Sequence, residues 1–153
     1  MLSMAVPLMI LLKSKMQNKN TVPVSNDSQT NDSSKQSFWN ERWEAKETGW
    51  DIGYPSPAIS EYFSKFSEKE IAVLIPGCGN AYEAEFLVNA GFKNITLVDI
   101  APKAVEILRN KFAGNSNVRI LCADFFTIRE KFDILIEQTF FSAIPPPKLK
   151  DYV

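Results

Sequence analysis

The segment IAVLIPGCGNAYEAEFLVNAGF, residues 71–92, most constrains how this chain can fold. It opens with an apolar run rich in branched side chains, Ile71 to Ile75, which is typical of a strand buried in a parallel sheet. Pro76 and Gly77 end the run, and apolar residues then recur at helical spacing until Gly91. A buried strand joined to a helix by a tight turn is the repeating unit of α/β folds.

Strand and helix patterns continue to alternate after this unit. A second strand pattern ends at Asp99, Pro102 stands where the next helix would begin, and two more strand patterns cover residues 118–126 and 132–141. This order predicts the first half of a Rossmann-like, doubly wound α/β sheet. Because such sheets normally carry further strands, we expect the chain to be truncated after the fourth strand.

Two helices are predicted before the first of these strands. Ser37 is a candidate cap for a helix over residues 38–46, which Gly49 would break. A second, amphipathic helix is predicted within residues 54–66, after two prolines.

The N-terminal part differs in composition from the rest, so we predict a disordered leader over 1–37 and a domain over 38–153. Residues 17–37 are polar and almost free of large apolar side chains. The apolar run 4–12 is shorter than the about 20 residues that cross a membrane. It also lacks the preceding basic region of a secretory signal. A signal or anchor is the alternative interpretation; a working start at Met16 is the preferred one.

Composition excludes several classes of function. The net charge of -1 leaves no excess of Lys or Arg to neutralise nucleic-acid phosphates. The chain has no histidine, which excludes Ser-His-Asp and Cys-His catalysis. Cys78 and Cys122 stand far apart and form neither a CxxC zinc site nor a disulfide framework. We therefore expect a reduced, cytoplasmic protein with no nucleic-acid, metal or membrane partner.

The residues that follow the strands are candidates for a ligand site, because ligands of such folds bind outside the carboxyl ends of the strands. Gly77 and Gly79 would allow a close backbone approach to a ligand. Asp99 follows them by about 20 residues, the spacing at which a carboxylate accepts hydrogen bonds from ribose hydroxyls. Each feature alone also fits a plain turn or a helix cap. Together they favour a ligand that contains adenosine.

Tyr82 helps to distinguish between two possible cofactors, because it occupies the position at which the dinucleotide-binding fingerprint GxGxxG has its third glycine. One strand later, Asp124 could accept from an adenine amino group and Phe125 could stack on the ring, although a strand-end Asp and a core Phe are the alternative. A ligand with adenosine but no pyrophosphate fits this pattern, which points to S-adenosylmethionine. Glu137 and Gln138 would then face its methionine part or its methyl group, or else form a solvated strand end.

Five segments together resemble the thiopurine S-methyltransferase family, including its halide and thiocyanate methyltransferase branch. The glycine loop and the acidic residue occur in all class I methyltransferases, whereas the segment with three tryptophans is specific to this family. The segments, which begin at Phe38, are FWNERWEAKETGW, IPGCGNAYEAEFL, VDIAPKAVE, CADFF and FDILIEQTFFSAI.

The resemblance implies that the tryptophan segment folds over the cofactor as a lid. Trp39, Trp43 and Trp50 would then contact the methionine side of the cofactor, and their rings would attract its sulfonium cation in a desolvated pocket. Tryptophans that only pack the helix against the sheet are the alternative.

The resemblance also implies which other residues line the cofactor site: Gly77, Asp99, Asp124, Phe125 and Gln138. Thiopurine-type members carry an arginine where this chain has Gln138. Gln138 is uncharged, as is the residue at this position in the halide methyltransferase branch. The resemblance therefore does not decide the substrate.

The function implied by the resemblance is that of an S-adenosylmethionine-dependent methyltransferase acting on a small soft nucleophile, such as a thiol, thiocyanate or halide. Such a nucleophile needs positioning and water exclusion more than a general base, so no catalytic residue is assigned. One alternative is an NAD(P)-binding oxidoreductase fragment. Another is a non-catalytic cofactor-binding fragment, because the sheet edge beside the fourth predicted strand would be uncovered. We expect the protein to be a monomer.

Overall fold

A five-stranded sheet organises the part of the chain that the computed structural model describes, residues 9–12, 32–33 and 35–152. The strands are β1 (Met9–Leu12), β2 (Ala72–Pro76), β3 (Asn94–Asp99), β4 (Val118–Cys122) and β5 (Ile134–Glu137). The helices are α1 (Gln36–Glu44), α2 (Pro57–Ser64), α3 (Tyr82–Asn89), α4 (Pro102–Lys111) and α5 (Phe140–Ala143). Two 3-10 helices cover Phe125–Thr127 and Pro146–Asp151.

The strand order is β1-β5-β2-β3-β4, and β2, β3, β4 and β5 are parallel. The chain runs outward from β2 to β4 and then returns to the other side of β2 with β5. The order therefore reverses between β2 and β5, and such a switch point leaves a crevice at the carboxyl ends of the strands. The predicted Rossmann-like α/β fold is confirmed.

Both faces of the sheet are buried, as the continuous apolar strands predict. Along β2, Val73 and Ile75 belong to one core cluster while Leu74 belongs to another. Side chains alternate between the faces of a strand, so these clusters lie on opposite faces. On one face α2, α3 and α4 contribute buried side chains, namely Ile59, Phe63, Ala84, Leu87 and Leu108; on the other, Phe125, Ile144 and Tyr152 cover the sheet.

β1 corrects two expectations. It lies within residues 1–37, which we predicted to be a disordered leader, and it pairs antiparallel with β5, from Met9 opposite Glu137 to Leu12 opposite Ile134. The edge beside the fourth predicted strand is therefore paired, not uncovered. The remainder of the leader up to residue 31, Met16 included, falls outside the described ranges. Across those ranges, no helix is long and apolar enough to cross a membrane.

Several element boundaries differ from the predicted ones. α1 begins at Gln36 after Lys35, so Ser37 lies inside it and does not cap it. It ends at Glu44, five residues before Gly49, and Lys46 already has a left-handed backbone with φ 58°. β4 and β5 are shorter than the apolar runs that predicted them, because the aromatic residues after each strand form short helices.

Candidate functional site

The turn after β2 places backbone where a ligand can approach it. Gly77 has φ 54° and Gly79 has φ 50°, a left-handed conformation that glycine adopts without steric cost. Ala81, immediately before α3, has the same left-handed conformation, with φ 50°. Between the glycines, Cys78 is buried, and burial raises the pKa of its thiol well above the ordinary value. This cysteine is therefore a neutral core residue and not a nucleophile.

Asp99, the last residue of β3, ties this turn to the neighbouring strand. Its Oδ2 accepts a hydrogen bond from the Gly79 amide at 3.1 Å, and its Oδ1 accepts one from the Ala101 amide at 2.9 Å. The side chain is almost fully buried, and burial raises its pKa although both amides oppose that shift. A carboxylate has about four acceptor sites, so Asp99 can still accept a hydrogen bond from a ligand.

A cavity of about 260 Å³ opens at the carboxyl ends of the strands. Most residues that were predicted to form a site line it: Trp39, Trp43, Trp50, Gly77, Gly79, Asp99, Asp124 and Phe125. Gln138 is the exception, since it lines a smaller adjoining cavity of about 60 Å³. The two cavities share the walls formed by Trp43, Trp50, Gly77, Gly79 and Thr139.

The tryptophans both pack α1 and line the cavities. Trp43 is 8% exposed and forms a cluster with Ala101 and Ala104 at the start of α4. Its ring also lies 3.5 Å from where a Cβ on Gly79 would stand. Trp50 meets Trp39 and Trp43 edge to face, with ring centroids 5.4 and 6.4 Å apart. The packing interpretation therefore describes real contacts, whereas contact between these tryptophans and a cofactor stays a prediction.

Asp124 and Phe125 also line the larger cavity. The Asp124 carboxylate accepts from the Phe126 amide at 3.0 Å and pairs with the Lys148 ammonium at 2.9 Å. Phe125 is 8% exposed and packs against Phe140, with ring centroids 5.3 Å apart. It is a core residue with one surface on the cavity.

Glu137 does not face either cavity, which corrects its expected place beside a methionine group. It is 2% exposed, and its Oε2 accepts a hydrogen bond from the Phe141 amide at 3.0 Å. Burial raises the pKa of this carboxyl. Glu137 therefore holds the start of α5, and Gln138 alone of the pair reaches a cavity.

Several residues that line the cavities were not predicted from the sequence. Phe140 approaches the glycine turn so closely that a Cβ on Gly77 would stand 2.3 Å from its ring. Lys148 is brought to Asp124 by the last 3-10 helix. Asp51 and Asn80, which line the smaller cavity, bond to each other across 29 residues of sequence. An acidic residue directly after the last tryptophan was the available signal for Asp51.

The lining residues fit an adenosyl sulfonium. The turn supplies backbone, two carboxylates lie at or just after the ends of successive strands, and aromatic rings line the same cavity. Tyr82 lines the smaller cavity where a dinucleotide site would place a glycine beside a pyrophosphate.

Similarity to known proteins agrees with this geometry. Residues 34–153 match the family model described as Thiopurine S-methyltransferase (TPMT). Over 113 residues the chain is 35% identical to "Probable thiol methyltransferase 2" of Arabidopsis thaliana, a match that covers 71% of this chain and 50% of that relative. The chain spans about half the length of the first curated relatives that it matches.

Solved structures share the fold. One comes from work on the conversion of a disulfide bond into a thioacetal group during echinomycin biosynthesis, with a TM-score of 0.64, 25% identity and coverage of 76% of this chain and 52% of that chain. Another is the 1,6-didemethyltoxoflavin-N1-methyltransferase of Burkholderia thailandensis, with a TM-score of 0.59, 14% identity and coverage of 76% and 52%. The second likeness supports the fold alone.

Proposed function

This chain belongs to the thiopurine S-methyltransferase family, and from that membership we propose that it binds S-adenosylmethionine for methyl transfer to a small soft nucleophile. One observation carries the proposal: the family-specific tryptophans and the glycine turn with Asp99 line the same cavity. A carboxylate for ribose and aromatic rings for a sulfonium are the groups that this cofactor requires.

Each wall of the cavity has a separate part in this proposal. Asp99 accepts hydrogen bonds from the ribose hydroxyls, while Asp124 and Phe125 contact the adenine. Gly77 and Gly79 bring backbone close to the methionine part. Bound S-adenosylmethionine supplies an electrophilic methyl group on a positively charged sulfur.

We also propose that the acceptor approaches from the smaller cavity. The residues shared by both cavities, Trp43 and Trp50 among them, would lie where the methyl group is transferred. Their rings exclude water and attract the sulfonium. Gln138 on this side is uncharged, and the matched Arabidopsis thaliana relative carries the name thiol methyltransferase, so a thiol is the first acceptor class that we propose.

No general base is assigned to the transfer. The chain contains no histidine, and the Cys78 thiol is buried and neutral. A thiolate, thiocyanate or halide already carries the electron pair that attacks the methyl carbon, and in-line placement supplies much of the rate.

Intrinsic tryptophan emission of the full 153-residue chain, titrated with S-adenosylhomocysteine, tests the proposal. All three tryptophans line the larger cavity, so we expect a saturable change in emission. NADH under the same conditions should give no saturable energy transfer from the tryptophans. An emission spectrum that does not change with S-adenosylhomocysteine would overturn the proposal that this chain binds the cofactor.

Incubation with labelled S-adenosylmethionine and, in turn, a small thiol, thiocyanate or iodide then tests the acceptor. We expect label in the thioether product of the thiol. Cofactor binding with no labelled product from any acceptor would instead identify a cofactor-binding protein without transferase activity.

A further inference from the structure

Asp51 connects the tryptophan segment, residues 38–50, to the glycine turn. It directly follows Trp50, and its Oδ2 accepts a hydrogen bond from the Asn80 side-chain amide. The Tyr82 hydroxyl lies 3.5 Å from the same oxygen, and the Gly53 amide donates to Oδ1 at 2.8 Å. Burial and the nearby Asp51 charge raise the pKa of the Tyr82 hydroxyl, so this hydroxyl stays a donor. These three donors to the Asp51 carboxylate are all neutral groups.

Asn80 is a fixed anchor for that contact. Its backbone carbonyl accepts a hydrogen bond from the Lys111 ammonium at 3.0 Å, and Lys111 also pairs with Glu85 at 2.7 Å. The residue before it, Gly79, is held by the Asp99 carboxylate. A displacement of Asn80 would therefore disturb the turn itself.

The rest of the segment is attached elsewhere. The Asn40 side chain accepts a hydrogen bond from the Lys103 amide at 2.8 Å, and Trp43 packs on Ala101 and Ala104. These contacts fix α1 to α4, and Trp50 packs against the same cluster through the rings of Trp39 and Trp43. Between Glu44 and α2, the Asp51 side chain bonds directly to a residue of the glycine turn.

We propose that Asp51 is a positioning residue which, by accepting the hydrogen bond from Asn80, holds Trp50 against the glycine turn and so increases the affinity for the cofactor. This inference rests on the proposed function for its effect on affinity, although the contact itself can be tested without a ligand. A hydrogen bond to an ionised carboxylate is stronger than one between neutral groups. The Asp51–Asn80 contact is thus well suited to hold a segment that lacks regular structure.

Exchange of the two side chains tests the proposal. Asn80→Asp places two carboxylates against each other, so Trp50 should move away from the turn. We expect the dissociation constant for S-adenosylhomocysteine, measured by calorimetry, to rise about tenfold. The double variant Asp51→Asn with Asn80→Asp restores a carboxylate and an amide with their positions exchanged. It should return the dissociation constant to within about threefold of the original value.

The double variant also separates positioning from direct repulsion. If the new carboxylate at position 80 weakened binding by repelling the cofactor, that charge would persist in the double variant and no recovery would occur. Glu61→Gln, which removes the exposed partner of Lys65 on α2, is the matched control for loss of a surface carboxylate. It should bind S-adenosylhomocysteine as the original chain does.

Acrylamide quenching of tryptophan emission without ligand gives an independent readout. Asn80→Asp should increase quenching, and the double variant should reverse that increase. Equal quenching and equal affinity in a folded Asn80→Asp variant would overturn the proposal, as would failure of the double variant to recover either property. If Asn80→Asp does not fold, Asn80→Ala removes the donor without adding charge and should shift both readouts in the same direction. If the variants show this quenching pattern but the original chain does not bind S-adenosylhomocysteine, the result would contradict the proposed function and still support the Asp51 contact.

Discussion

At the scale of single residues, Gly77 shows how closely the turn and the cavity depend on a missing side chain. A Cβ there would stand 2.3 Å from the Phe140 ring, and the backbone has φ 54°. We predict that Gly77→Ala pushes this ring into the cavity, destabilises the fold by more than about 2 kcal/mol and abolishes saturable binding of S-adenosylhomocysteine. Urea unfolding and the emission titration measure these two effects.

Gly114→Ala is the control for backbone strain. Gly114 also has a left-handed backbone, with φ 76°, but no atom lies within 4 Å of its potential Cβ. This variant should lose only about 1 kcal/mol and should bind normally. Equal losses in both variants would show that the Phe140 contact is unimportant.

Because the Cys78 thiol is buried, we expect the free energy of unfolding to decrease as the pH rises above 9. Its ordinary pKa is 9.0, and burial raises the pKa well above that value in the folded chain. Above pH 9 the unfolded state therefore loses this proton while the folded state keeps it, so stability falls as pH rises. We predict a loss of about 1 kcal/mol between pH 9 and 10 that Cys78→Ala lacks. Urea unfolding of both proteins across this range measures the difference, and parallel pH profiles would contradict it.

At the scale of elements, the pairing of β1 with β5 is open to a direct test. β2 pairs with β5 at Ile134 and Leu135, whereas β1 pairs along the whole strand to Glu137. Removal of residues 1–15 should therefore accelerate amide hydrogen exchange in β5 by about tenfold or more. Exchange in β3, which lies between β2 and β4, is the internal control. Unchanged protection of β5 would show that β1 does not cover this edge.

The same elements show what local pattern can predict. β2, β3, α3 and α4 lie where branched runs, Pro102 and helical spacing place them, because their burial demands that pattern. β1 was missed because a short apolar run becomes a strand only through a partner far along the chain. The short helices after β4 and β5 were missed because aromatic residues suit a strand as well.

At the scale of the whole molecule, cofactor binding should be visible as stability. A ligand that binds only the folded state adds about 2.7 kcal/mol at a free concentration one hundred times its dissociation constant. For a domain of this size we predict a rise in melting temperature of about 5–10 °C with S-adenosylhomocysteine. Differential scanning fluorimetry measures the shift. NADH at the same concentration should leave the melting temperature unchanged, and an equal shift would favour the oxidoreductase alternative.

The position of the cavity could be predicted at the same scale because the topology of the sheet largely determines it. Residues that follow successive parallel strands must meet at one edge, so Gly77, Asp99 and Asp124 were predictable together. The Gly79 amide that bonds to Asp99 comes from the preceding turn. The lysine that pairs with Asp124 and the amide that bonds to Glu137 are instead placed by later elements. Spacing along the sequence carries no information about those partners.

The pairing of Met9 with Glu137 also has a consequence for synthesis on the ribosome. β1 is made first of the five strands, and its partner is made last. The apolar residues of β1 must therefore wait, without their partner, while the other strands emerge and fold. During that interval they are an unpaired apolar segment, and the step that pairs them with β5 joins the two strands of the sheet that lie farthest apart in the sequence.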